Sequence, residues 1–218
     1  MVNAGSIAAG TGPDGGSGVF LLSGGSLANQ SGGTITGDES VYIQGSAGTV
    51  LNQGVITGGA SGKLAVGVRL TRGGAVTNQS DGTISGYNGV GLGGAGGTIE
   101  NAGTIIGAVT AVTLGAGFTD RLIVDPGATF SGTVDGGNAI GGAAISTLDL
   151  STGASDGTFT GLGSQFTNFA QINVDAGAAW TITGANTVAA GASLTNSGTL
   201  DTTGTLTAPG VLADFGAC

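Results

Sequence analysis

Histidine is absent, which removes the commonest general base together with any Ser-His arrangement for covalent catalysis. The single cysteine, Cys218, is the last residue, so the chain holds no internal disulfide framework and no cysteine-based metal centre. Only 4 residues are basic against 13 acidic, a formal charge of -9, and a nucleic-acid partner is excluded because counterion release on phosphate needs clustered Lys and Arg. The one small basic cluster, Lys63, Arg69 and Arg72, reads as a solvated loop and strand face. No apolar run reaches the roughly 18 residues of a membrane-crossing helix, and the opening MVNAGSIAAG carries neither the basic nor the apolar region of an export signal. Charge is scarce as well, at 8% of residues, and the mean hydropathy of +0.36 is too apolar for an ordinary disordered tail. No segment shows a helical period.

Glycine is abundant, with 49 residues, and it punctuates a recurring phrase. The phrase reads NQSGGTITG from Asn29, NQGVITG from Asn52, NQSDGTISG from Asn78 and NAGTIIG from Asn101, and Asn3 opens an earlier copy, NAGSIAAG. The asparagine positions 3, 29, 52, 78 and 101 step alternately by 26 and 23, and a period of roughly 25 residues points to a solenoid. The turns NQSGG and NQSDG hold two residues more than their counterparts, an insertion that bulges outward without disturbing the inward aliphatic stack. Each repeat supplies three short apolar strands: Ile35, then Val41 with Ile43, then Val50, and the same again at Ile56, Val68 with Leu70, and Val76. Strands of about 3 to 5 residues, each pairing with its copy about 4.8 Å away, predict an all-β fold. It is a single-stranded parallel β-helix, or β-solenoid, with about three short strands per coil.

The whole chain, 1–218, reads as one β-solenoid fragment in three stretches. Residues 1–115 carry the 23/26-residue period, 116–175 form irregular coils with strands still legible at Leu122 to Val124 and Leu148 to Leu150, and 176–218 follow a hexad period. In the last stretch Ile182, Val188, Leu194, Leu200, Leu206 and Leu212 fall six residues apart, one per side. At roughly 20 to 26 residues per coil the chain makes about nine coils, a rod of about 40 Å. Met1 stands two residues before Asn3 where later repeats carry Leu27, Val50, Val76 and Ile99, so the frame is expected to open inside a repeat of a longer protein.

The repeated residues have structural reasons. Glycine allows positive φ and close stacking. Asparagine suits a turn because it tolerates the left-handed region and bonds its own backbone, and copies stacked on successive coils can form an amide ladder. Outward Thr pairs, such as Thr34 with Thr36 and Thr83 with Ser85, offer the array an ice-binding face needs, but Val55 and Ile106 interrupt it.

Catalytic candidates are sparse. Asp120 with Asp125 is the one carboxylate pair that could share a groove for glycan cleavage, and adjacent Asp38 and Glu39 read as a solubilising turn. The stretch GAGFTDRLIV from Gly115 is a degenerate form of the calcium-binding nonapeptide. Phe118 takes a required glycine position and no second copy follows, so no metal and no cofactor is expected.

The Asn-x-Gly-Thr-Ile repeats, DRLIVDPGATFSGTVDGG from Asp120 and the run SQFTNFAQINVDAGAAWTITGANTVAAGASLTNSGTL from Ser164 carry a resemblance across nearly the whole chain. The sequence resembles the passenger region of bacterial autotransporters and related large β-helical surface adhesins. The resemblance implies a right-handed parallel β-helix displayed outside the cell, anchored in the outer membrane by a C-terminal barrel that VLADFGAC does not supply. It implies no catalytic residue. The expected role is a structural or adhesive segment, not an enzyme: a stalk, or a weak multivalent surface for host or environmental glycans, with self-association through the coil ends. The alternatives are a glycan-active β-helix enzyme using Asp120 and Asp125 and, behind it, ice binding through the Thr rows.

Overall fold

The computed structural model describes residues 1–10, 16–60, 62 and 65–216. It is an all-β structure in which parallel strands stack as a β-solenoid of about nine turns, with no helix among the described residues. One side is a ten-stranded parallel sheet, from Val2–Asn3 through Gly25–Asn29, Gly48–Asn52, Gly74–Asn78 and Gly97–Asn101 to Val211–Asp214. Leu27, Val50, Val76, Ile99, Leu122, Leu148, Ile172 and Leu194 stand in register down its inner face. All eight are buried. Strand alternation puts every second residue inside, and each such aliphatic side chain contributes about 1.5–3 kcal/mol by leaving water.

A second ten-stranded sheet covers the other two sides through the earlier coils. Its inner columns are Ile7, Ile35, Ile56, Ile84, Ile105 and Phe130, and Val19, Val41, Val68, Val90, Val112, Val134 and Phe166. Two sides that the sequence divides into short strands are here continuous: Thr83–Leu92 and Thr104–Thr113 are each 10 residues long and bend around the corner with an irregular register. The glycine spacers between Ile84 and Val90 therefore act within a strand and not as a turn.

The middle stretch keeps the sheet. Asn101, Val124, Leu150, Val174, Asn196 and Asp214 occupy one register position on successive coils. The period looks blurred in the sequence because the filling changes chemistry. Aromatic rings replace aliphatic ones, with Phe130 edge-on to Phe166 at 5.4 Å and Phe159 tilted against Phe166 at 4.7 Å. Trp180 lies buried over Gly157, and its Nε1 donates to the Ser151 carbonyl at 2.8 Å. In the final coils two small sheets, Gly157–Phe159 with Ala179–Ile182 and Thr199–Thr202, and Ala185–Thr187 with Thr205–Thr207, take over the other sides. Leu194 pairs with Leu212, three hexads further on, so each hexad supplies one side of the coil.

Candidate functional site

The asparagine row is interior. Asn3, Asn29, Asn52, Asn78 and Asn101 close their strands on the inner face and are buried. Each Nδ2 donates to the Oδ1 of the next, at 2.8 Å in all four steps. The expected left-handed backbone is not used here: among the described residues Asn168 is the one non-glycine with positive φ. Side-chain chemistry explains the residue type. Where the turn is short, Oδ1 of Asn3, Asn52 and Asn101 also accepts from the amide two residues on; where it is long, Nδ2 of Asn29 and Asn78 also donates to the carbonyl four residues on. At Val124 the row turns apolar, and it returns as Asn196 donating to Asp214 Oδ1 at 2.9 Å.

Asp120 and Asp125 are not brought together. Asp120 opens the strand Asp120–Val124 facing inward and is 2% exposed, whereas Asp125 follows its far end, partly exposed, and accepts a hydrogen bond from Ser151 Oγ. Five residues of extended chain set them on the order of 16 Å apart, beyond the separations of paired glycosidase carboxylates. Asp120 Oδ1 accepts from the Gly97 amide at 2.7 Å, and Oδ2 has no hydrogen-bond partner. Burial pushes its pKa up, partly opposed by the backbone amides of Gly97 and Gly115. Asp120 stands where Gly97 stands one coil earlier and Ser146 one coil later, so it caps a neighbouring amide.

Two ion pairs join neighbouring coils. Arg121 Nε donates to Asp149, which is 2% exposed and also accepts from Asn173 Nδ2 at 2.7 Å. Asp175 nearby has its pKa raised, by burial first and by the Asp149 charge second, with Arg121 opposing. Glu39 is not in a turn: it begins the strand Glu39–Ile43 and meets Arg69 at 2.7 Å. Among the described residues no group of three or more Cys, Asp or Glu side chains converges as metal ligands would. Lys63 and Cys218 lie outside the described residues.

The Thr rows run in the expected register. One reads Ser6, Thr34, Val55, Thr83, Thr104 and Thr129, the other Ala8, Thr36, Thr57, Ser85, Ile106 and Ser131. Val55 and Ile106 are exposed gaps in them.

A feature not singled out in the sequence lies on the third side. Phe20, Tyr42, Arg69, Gly91 and Thr113 form one outward column. The Phe20 and Tyr42 rings stack with centroids 4.9 Å apart, and the Arg69 guanidinium covers Tyr42 at 5.5 Å. At Gly91 the column has a gap, opening a cavity of about 450 Å³ lined by Arg69, Asn88, Gly91, Gly93 and Thr113. A signal was available: each of the first three residues directly precedes an inward Leu or Ile, at Leu21, Ile43 and Leu70. Compared with known protein families, curated proteins and solved structures, the chain matches none.

Proposed function

We propose that this β-solenoid is a structural and adhesive segment of a surface-displayed passenger of the autotransporter type, serving outside the cell as a stalk and as a weak, multivalent contact surface for glycans. One observation carries the reading: the repeated residues are consumed by stacking, and what repeats on the outside is hydroxyl rows at coil spacing, Thr34, Thr83, Thr104 and Thr129 on one and Thr36, Thr57 and Ser85 on the other. Regularly spaced weak contacts gain strength by multivalency, not by a single deep site.

The purified chain on a glycan array, beside a reducing-sugar assay, tests adhesion: binding without sugar release is expected, and sugar release overturns the reading. Protease shaving of intact cells tests display. Peptides from this chain appear in the supernatant of unbroken cells if it is surface-borne, and only after lysis if it is not.

A further inference from the structure

We propose that the gap at Gly91 is a binding site for one acidic sugar residue of a glycan, a carboxylate-bearing pyranose held by Arg69. The proposal rests on the adhesive reading and gives it a ligand class.

The geometry is that of a missing step in a filled column. Neighbouring coils are about 4.8 Å apart, so the backbones at Arg69 and Thr113, one coil to either side of Gly91, stand on the order of 10 Å apart, and the space left between their side chains admits one pyranose ring. Nothing lies within 4 Å of a Cβ built on Gly91 or on Gly93, so the floor is bare backbone. The cavity volume of about 450 Å³ falls within the range of small-molecule sites.

Arg69 is prepared for an anion. Glu39 and the Tyr42 ring fix its guanidinium from two directions, and its side chain keeps 38% exposure while lining the cavity. A fixed planar fork loses little entropy on gripping a carboxylate. Arg72, exposed, lines an adjoining recess with Gln44 and Thr71, and Thr71 borders both recesses. Two of the chain's 4 basic residues thus meet at one corner of a molecule of charge -9. Around them Asn88 offers an amide and Thr113 a hydroxyl, groups that suit sugar hydroxyls. A long polyanion such as nucleic acid would be repelled by the remaining surface, whereas a short acidic glycan places one carboxylate on this corner and spans little beyond it.

The full chain is titrated, with amide shifts followed by NMR, against trigalacturonate, a neutral galactose trimer and inorganic sulfate. Trigalacturonate shifts the amides of Asn88, Gly91 and Thr113 and the neutral trimer does not. Arg72→Gln weakens binding roughly five-fold, the size of a partly exposed ion pair. Gly91→Gln fills the gap, abolishes the shifts and leaves the melting temperature unchanged, because the position is open and its φ is not positive. Equal binding of the neutral trimer, no binding of trigalacturonate, or shifts that survive Gly91→Gln each overturn the proposal. Sulfate shifting the same amides as strongly as trigalacturonate reduces the corner to a bare anion contact and overturns it too. Array binding that persists in Gly91→Gln leaves the adhesive reading standing without this site.

Discussion

Asn52 donates its side-chain amide to Asn78 Oδ1 at 2.8 Å while its own Oδ1 receives the amide of Asn29, also at 2.8 Å. Each interior asparagine of the row is thus donor and acceptor at once, with no water to replace either partner. Asn52→Val is expected to cost about 2–4 kcal/mol, since it leaves a buried Asn29 donor and a buried Asn78 acceptor each short of a bond. Asn101→Val, at the edge of the apolar block that Val124 begins, costs less. Urea denaturation of the two variants checks the order, and equal costs would mean that the ladder is not cooperative.

Close stacking sets a second expectation. Gly74 has φ +123°, and a Cβ there would fall 2.0 Å from the Gly48 carbonyl oxygen. Gly74→Ala is expected to destabilise by about 2–4 kcal/mol, and Gly91→Ala by less than about 0.5 kcal/mol. Thermal melts of the pair read the contrast.

Asp120 and Asp175 give the protein a pH dependence of defined sign. Both have folded pKa values raised above the ordinary 3.8, so below 3.8 both states are protonated and burial carries no charge penalty. As pH climbs past 3.8 the unfolded chain ionises first, and stability is lost until the raised folded pKa is passed. Asp120→Asn should therefore stabilise by about 1 kcal/mol at pH 7, with the gain vanishing near pH 3. Chemical denaturation at both values tests this, and a gain that is the same at both refutes the burial argument.

Trp180 ties the last coils together. Trp180→Ala removes a buried ring and its bond to the Ser151 carbonyl, at about 3–5 kcal/mol. In a solenoid the damage stays local, so hydrogen exchange should accelerate beyond Gly157 while the amides of Gly48–Asn52 and Gly74–Asn78 keep their protection. Uniform acceleration along the chain would contradict that locality.

The first half of the fold was legible because one inward position repeats one residue type: Ile35, Ile56, Ile84 and Ile105 announce their own column. From Phe130 onward the same positions hold rings of other shapes, so the register survives in space but not as a string. The asparagines were recognisable as stackable, yet their direction was not. A turn residue and an inward strand end look alike in sequence, and burial decides between them. Asp120 and Asp125 illustrate the limit from the other side: nearness along the chain placed them at opposite ends of a strand. The Gly91 gap is silent in the sequence because it consists of an absent side chain between Arg69 and Thr113, which only the register of the coils brings side by side.

The two forms of asparagine corner alternate, and Asn52 stands midway along the chain between Asn3 and Asn101, which share its form. The structural repeat is accordingly a pair of coils. In-frame duplication of one such pair is expected to lengthen the rod, because every new amide finds a donor on one side and an acceptor on the other. Strand-by-strand growth has no such path, and neither does inversion: the row points one way, and a reversed pair would set oxygen against oxygen.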